Sequence, residues 1–196
     1  MSKIIVFEGA DRCGKATQSN LLKEYLVENG SSAARVEVPI RDNHTYKIIY
    51  WMLRNGLAKK LPKTFQWLHY LNRLIFQTFI LPRLEKKNEY IVFDRWSLST
   101  VVYGVAEGVS KEFCEKLYNG LRRTDFTIIL LNKSYQHEAE DVYESDLNLQ
   151  KNVRNLYADW AVKNLADSYV IDNNDSKEKI LSDVVQFLKL SKIITQ

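Results

Sequence analysis

The chain has 196 residues, 45% of them hydrophobic and 27% charged, which is enough for one domain with a substantial core and too little for two ordinary domains without a visible linker. No apolar run approaches the roughly 20 residues of a membrane span, so neither a membrane protein nor a membrane partner is expected. The net charge of +4 is spread along the sequence rather than gathered in blocks. That pattern argues against a nucleic-acid surface and suits a site that attracts polyphosphates.

The opening MSKIIVFEGA lacks the long apolar stretch and cleavage site of a signal peptide, so the expectation is a mature protein that begins here. Ile4 to Phe7 is a short apolar run without strict alternation, the mark of a strand buried on both faces. Helical spacing follows over Thr17–Glu28, and Ala34–Val38 reads as a second, weaker strand. Two more helical segments, His44–Arg54 and a long Thr64–Lys87, precede the apolar run Tyr90–Phe93. Helical patterns at Leu98–Glu107 and Lys111–Leu121 lead to a further strand, Phe126–Leu131. Asn132 to Tyr143 is polar, has no clear period, and is read as a short lid loop over the site, at about 133–145. Asp146–Leu165 is helical, Ser168–Ile171 is a weak strand, and Lys177–Leu190 is a last helix.

Strand and helix alternate throughout, which predicts an α/β fold: a five-stranded parallel sheet with helices on both faces, in one domain spanning 1–196. The ligand site is then expected at the carboxyl ends of the strands. The two cysteines, Cys13 and Cys114, have no metal-ligand spacing, and a disulfide framework is not expected. A reducing, cytoplasmic setting follows.

Directly after the first strand comes Gly9-Ala10-Asp11-Arg12-Cys13-Gly14-Lys15-Ala16-Thr17, with the Gly-x-x-x-x-Gly-Lys spacing of a P-loop. Glycines allow successive backbone N–H groups to point at phosphates, and the following helix turns its positive end to the same anion. Arg12, Cys13, Gly14, Lys15, Ala16 and Thr17 are therefore the expected ATP cradle, with Lys15 reaching the β- and γ-phosphates. The residue after the lysine usually offers a hydroxyl to Mg²⁺, and here it is Ala16. Either Thr17 compensates, or water and a carboxylate hold the metal, or the loop binds nucleotide and catalyses poorly. A second anchor, Asp94-Arg95-Trp96, closes the run Ile91-Val92-Phe93. Asp94 is placed to orient Mg²⁺ through water, and Arg95 to bind phosphate.

With both anchors in place, the chain resembles the thymidylate kinases, nearly end to end. Phe7-Glu8-Gly9 through Thr17-Gln18 is similar to the family's opening, broken only by Ala16. Val38-Pro39-Ile40-Arg41 is similar to the family's Phe-Pro-x-Arg, and Leu71-Asn72-Arg73 to its Ala-Asn-Arg. Asp94-Arg95-Trp96 with Ser97 to Thr100 and Tyr103-Gly104 resembles its Asp-Arg-Tyr/His element and the helix behind it. Tyr143-Glu144 with Leu149-Gln150, and Val170-Ile171-Asp172, match two later elements.

The resemblance implies the P-loop NTPase fold and transfer of a phosphoryl group from ATP, with Mg²⁺, to a deoxynucleoside monophosphate, dTMP to dTDP first. It implies that Asp11, Arg41, His69, Arg73, Arg95, Thr100, Tyr103 and Tyr143 bind the monophosphate, and that Arg12, Lys15, Asp94 and Arg95 are catalytic. Asp11 would meet the nucleotide sugar or the arginine network. Three guanidiniums, from Arg41, Arg73 and Arg95, suit a dianionic phosphate because their donors form planar forks. The lid holds no Arg whereas the P-loop does, so the sequence resembles the subgroup with its catalytic Arg in the P-loop, at Arg12. A homodimer through the helices around His44–Arg54 and Thr64–Lys87 is also implied.

His69 stands where the family stacks a Phe on thymine, and Asp42-Asn43 replaces its Ser-Thr, so a broader deoxynucleoside monophosphate kinase is the alternative. A nucleotide-binding protein with weak turnover is a second, motivated by Ala16. A switch GTPase fits less well, because Asn132-Lys133-Ser134-Tyr135 lacks the Asp of a guanine-reading element.

Overall fold

The computed structural model describes residues 2–131, 146–171 and 174–194. The lid expected at about 133–145, with Tyr143 in it, and Asp172 of the late Ile-Asp pair lie outside the described residues.

Five strands, β1 (Lys3–Gly9), β2 (Ala33–Glu37), β3 (Tyr90–Asp94), β4 (Phe126–Leu130) and β5 (Ser168–Ile171), form one parallel sheet in the order β2-β3-β1-β4-β5. Around it lie α1 (Lys15–Glu28), α2 (His44–Arg54), α3 (Leu57–Lys60), α4 (Pro62–Phe79) and α5 (Leu81–Glu85). They are followed by α6 (Ser97–Ala106), α7 (Lys111–Asn119), α8 (Leu147–Lys163) and α9 (Lys177–Leu190). Alternate strand residues feed different cores, which is why the strands read as unbroken apolar runs. Ile5, Phe7, Val92, Ile128 and Leu130 pack with Leu22 and Leu26 of α1 and Val184 and Leu188 of α9. Ile4, Val6, Ile91 and Phe93 face the other way, onto Phe76 of α4 and Trp96. Ile129 meets Leu98, Val153 and Tyr157 of α6 and α8.

The expected helix Thr64–Lys87 is two helices, α4 and α5, with Ile80 between them. Pro82 is the cause: it has no N–H for the carbonyl four residues back, and its ring disfavours helical backbone just before it. The four-residue α3 is too short to show a period and is not foreseen in the sequence. Other helix ends follow local chemistry. Asn43, Ser110, Asp146 and Ser176 each accept a backbone N–H from the first turn of α2, α7, α8 and α9. Asn43 thus has a definite task where the sequence pattern departs from Ser-Thr.

The chain runs from β1 outward to β2 and β3 on one side and later to β4 and β5 on the other. The strand order therefore reverses beside β1, and the crevice outside its carboxyl end is the place for a ligand. Phe7 of β1 lies opposite Asp94 of β3, and the Arg95 N–H donates to the Phe7 carbonyl at 2.9 Å. The two sequence anchors, represented by Gly9 and Arg95, 86 positions apart in the chain, are neighbours at that point.

Candidate active site

At the end of β1 the backbone turns through Gly9 (φ 146°), Arg12 (φ 62°) and Gly14 (φ 87°) before entering α1. Only glycine fits at Gly9, where an added Cβ would collide with the Leu130 carbonyl and the Cys13 sulfur. Gly14 begins α1 with no side-chain cap, and no acid sits in the first turn. The open N–H groups and positive helix end are thus left to an anion, as a phosphate cradle requires. Lys15 is buried; its Nζ donates to the Ala10 carbonyl and lies 3.4 Å from Cys13 Sγ. Ala16 and Thr17 are exposed on the first turn.

Arg95 has φ 64°, a left-handed conformation that a non-glycine residue adopts at a cost of about 1 kcal/mol or more. The surroundings hold it there. Its Nη1 donates to the Gly9 carbonyl at 2.9 Å and to Ser99 Oγ at 3.3 Å; its Nη2 donates to Asp11 and, at 3.2 Å, to the Tyr103 hydroxyl. Gln150 of α8 clamps Asp11 from behind, accepting the Asp11 N–H at 3.0 Å and donating to Oδ2 at 2.7 Å. Burial pushes the Asp11 carboxyl up, but Arg95 and Lys15 outweigh it and hold it below its ordinary value. Burial also pushes Tyr103 well up, so it stays a phenol.

Arg73, on α4, is 2% exposed and donates from Nη1 to Thr100 Oγ1 at 3.1 Å, while its buried Nε has no partner among the described residues. Burial lowers its pKa to about 10, against the pull of Glu8, so it remains a cation at neutral pH. His69, one turn earlier on α4, meets Phe65 edge-on at 4.6 Å between ring centroids. Burial first, then Arg73 and Arg95, holds its imidazole well below the ordinary range, so it is neutral. A cleft of about 140 Å³ is walled by Asp11, His69, Arg73, Arg95, Ser99 and Tyr103 on its polar side. Val38, Pro39, Leu53 and Phe65 line its apolar side. A lining that combines apolar side chains with two guanidiniums suits a base attached to a phosphate.

The structure thus brings together Asp11, His69, Arg73, Arg95 and Tyr103 from the expected set, with Thr100 behind Arg73. Arg41 stands apart: its side chain is 68% exposed and pairs with Glu37 at 2.8 Å, outside the cleft lining. The loop before it is fixed by Asn72, fully buried, which accepts the Ile40 N–H at 2.7 Å and donates to the Ile40 carbonyl at 3.0 Å.

Two charged residues to which the sequence reading assigns no role shape the site. Glu8 is fully buried; its Oε1 accepts the N–H groups of Trp96 (2.9 Å) and Ser99 (3.2 Å), and its Oε2 accepts the hydroxyls of Ser99 (2.6 Å) and Tyr157 (2.8 Å). It caps α6 from a neighbouring strand and so fixes the helix that carries Ser99, Thr100 and Tyr103. The available signal is an acid ending an apolar strand. Arg35 of β2 donates to Asp94 Oδ2 at 3.1 Å and to Ser19 Oγ at 2.7 Å. A cation inside a strand pattern is its only mark in the sequence.

A magnesium ion finds a sparse protein donor set. Ala16 offers a methyl group, and Asp94 shares one oxygen with Arg35. Among the described residues no group of three or more His, Cys, Asp or Glu side chains gathers. That fits an ion which keeps its waters and is carried chiefly by phosphate oxygens, with Asp94 as an outer partner.

Comparison with known proteins agrees with this geometry. The family model described as thymidylate kinase matches residues 7–184. The thymidylate kinase of Plasmodium falciparum is 30% identical over 200 residues, covering 97% of this chain and 91% of that one. Among solved structures, thymidylate kinase from Ehrlichia chaffeensis superposes with a TM-score of 0.72 at 26% identity, covering 96% of this chain and 98% of that one. Thymidylate kinase from Candida albicans reaches 0.76 at 19% identity, covering 97% and 92%, a likeness of fold. The five-stranded parallel sheet is therefore the P-loop NTPase arrangement expected from the sequence.

Proposed function

The chain belongs to the thymidylate kinase family, and on that premise we propose that its cleft binds dTMP and its P-loop binds ATP for direct phosphoryl transfer giving dTDP and ADP. The observation that carries the reading is the junction of the two anchors. Arg95, at the end of β3, is hydrogen-bonded to the P-loop carbonyl of Gly9 and lines the same cleft as Arg73. That junction supports a reading in which donor and acceptor phosphates meet at one point.

Arg73 and Arg95 hold the acceptor phosphate, Arg41 swings in from Glu37 to complete the clamp, and Lys15 with the α1 N-terminus holds the donor. Arg12, kept in a left-handed conformation at the P-loop, is the cation that follows charge on the moving phosphoryl group. The acceptor oxygen is already anionic, so no general base is needed, and the protein supplies position and electrostatics. Mg²⁺ bound with ATP would neutralise phosphate charge, with Asp94 oriented toward its waters. The phenol of Tyr103 and neutral His69 flank the base. Supporting a single catalytic domain, the family match spans nearly the whole chain.

A homodimer through α2 and α4 is supported by exposed Ile48, Tyr50 and Trp51 on α2 and Trp67 on α4. Light scattering at micromolar concentration should give twice the monomer mass. A cytoplasmic setting is supported by Cys13 and Cys114, both free thiols and both buried. The kinase reading is tested by coupled ADP release with ATP, Mg²⁺ and each deoxynucleoside monophosphate in turn. Turnover should be fastest with dTMP. Comparable rates with dGMP and dCMP would replace that preference by the broader specificity that His69 in the stacking position suggests.

A further inference from the structure

Between Arg41 and Asp94 runs an unbroken line of charges. Arg41 Nη2 lies 2.8 Å from Glu37 Oε1, Glu37 Oε2 lies 3.6 Å from Arg35 Nη1, and Arg35 Nη2 lies 3.1 Å from Asp94 Oδ2. The strand register explains it: Glu37 of β2 is directly opposite Asp94 of β3, and Arg35, two residues earlier, is on the same face. Two like charges directly opposite repel, and the Arg35 guanidinium reaches both. Its Nε donates to Ser19 Oγ at 2.7 Å on α1, which anchors the guanidinium between the two acids.

Each inner member of the line is shared between two partners of opposite sign. The outermost pair, Arg41 with Glu37, is also the most exposed, at 68% and 43%, and such pairs are weak. A phosphate dianion therefore outcompetes Glu37 for Arg41. Once released, Glu37 has only Arg35 as an ion-pair partner among the described residues, and Arg35 turns from Asp94 toward it. Asp94 then regains a full carboxylate facing the metal side.

We propose that Glu37 and Arg35 are positioning residues that couple the two substrates: acceptor phosphate, by drawing Arg41 off Glu37, frees Asp94 for the hydrated Mg²⁺ of the donor. The inference rests on the reading of Arg41 and Asp94 given above. By linkage, the donor in its metal form must tighten the acceptor by the same factor.

The test is calorimetric, with the β,γ-imido analogue of ATP so that no turnover occurs. Affinity for the analogue is measured with Mg²⁺ or with excess chelator, each with and without saturating dTMP. In the unaltered protein dTMP should tighten the Mg²⁺ form by about fivefold and leave the metal-free form unchanged. In Glu37→Gln the fivefold effect should vanish while both substrates still bind singly, and Arg35→Gln should do the same. Circular dichroism confirms that both variants are folded. Coupling that survives in Glu37→Gln, or is equal without metal, overturns the relay while leaving the kinase reading intact. Arg41→Ala separates the two: if dTMP affinity does not fall in it, Arg41 is not a phosphate ligand, and the relay fails with that part of the reading.

Discussion

Glu8→Gln isolates what a buried carboxylate contributes to a site it never needs to touch. The substitution keeps size and keeps Oε1 as an acceptor for Trp96 and Ser99, but turns Oε2 into a donor facing two hydroxyls that now donate to it. Those hydroxyls can rotate, and their rearrangement costs about 1 kcal/mol. Losing the charge costs more, because Glu8 is the main negative group opposing buried Arg73, and an uncompensated buried cation costs about 3 kcal/mol. The total of about 4 kcal/mol lowers Tm by roughly 10 °C for a chain of this size. Thermal unfolding followed by circular dichroism reads it directly. Tyr157→Phe, which removes one hydrogen bond to the carboxylate and no charge, should cost about 2 kcal/mol. A Glu8→Gln protein melting within a degree or two of the parent would refute the argument that Glu8 balances Arg73.

Arg12→Ala should slow turnover by about a thousandfold, measured by ADP release, while ATP affinity measured by calorimetry stays within a few fold. Ala16→Ser restores the missing hydroxyl, and the Mg²⁺ concentration for half-maximal rate should fall by about fivefold, equivalent to ~1 kcal/mol for one further oxygen ligand. His69 has its pKa depressed when folded, so the unfolded chain takes up the proton first as the pH falls through the ordinary value of 6.5. Stability from this group is complete above that pH and is lost below it, by up to about 1.4 kcal/mol per pH unit. Urea unfolding of His69→Phe between pH 7 and 5 should therefore show a shallower fall than the parent. Gly104→Ala places a Cβ 2.5 Å from Cys114 Sγ and 3.2 Å from Gln66 Cγ, and should destabilise by about 2 kcal/mol in urea unfolding.

The parts of the site that could be read from sequence are those written contiguously. Gly9 to Thr17 and Asp94-Arg95-Trp96 each place their groups by local backbone geometry, so strand-end context suffices to find them. The inner strands β1, β3 and β4 are equally visible, since burial on both faces leaves no polar alternation to confuse with a helix, whereas the partly buried β2 and β5 read more weakly. The roles of Arg35 and Glu8 escape notice because their partners are distant: Arg35 meets Asp94 59 residues on, and Glu8 meets Tyr157 149 residues on. Only the folded sheet brings such pairs together. Gln150 is visible as part of a motif, yet its clamp on Asp11 spans 139 residues and cannot be derived from spacing. The break between α4 and α5 is a different failure, because apolar spacing continues across Ile80 and hides what Pro82 does two residues later.

Phosphorus NMR of a mixture of the protein, ATP, Mg²⁺ and dTMP tests the central claim most directly, since it identifies the products themselves. The account predicts dTDP and ADP appearing in equal amounts with no inorganic phosphate, at a rate that falls in Arg73→Ala and Arg95→Ala. ATP consumed to ADP and inorganic phosphate without dTDP, or left intact, would contradict it.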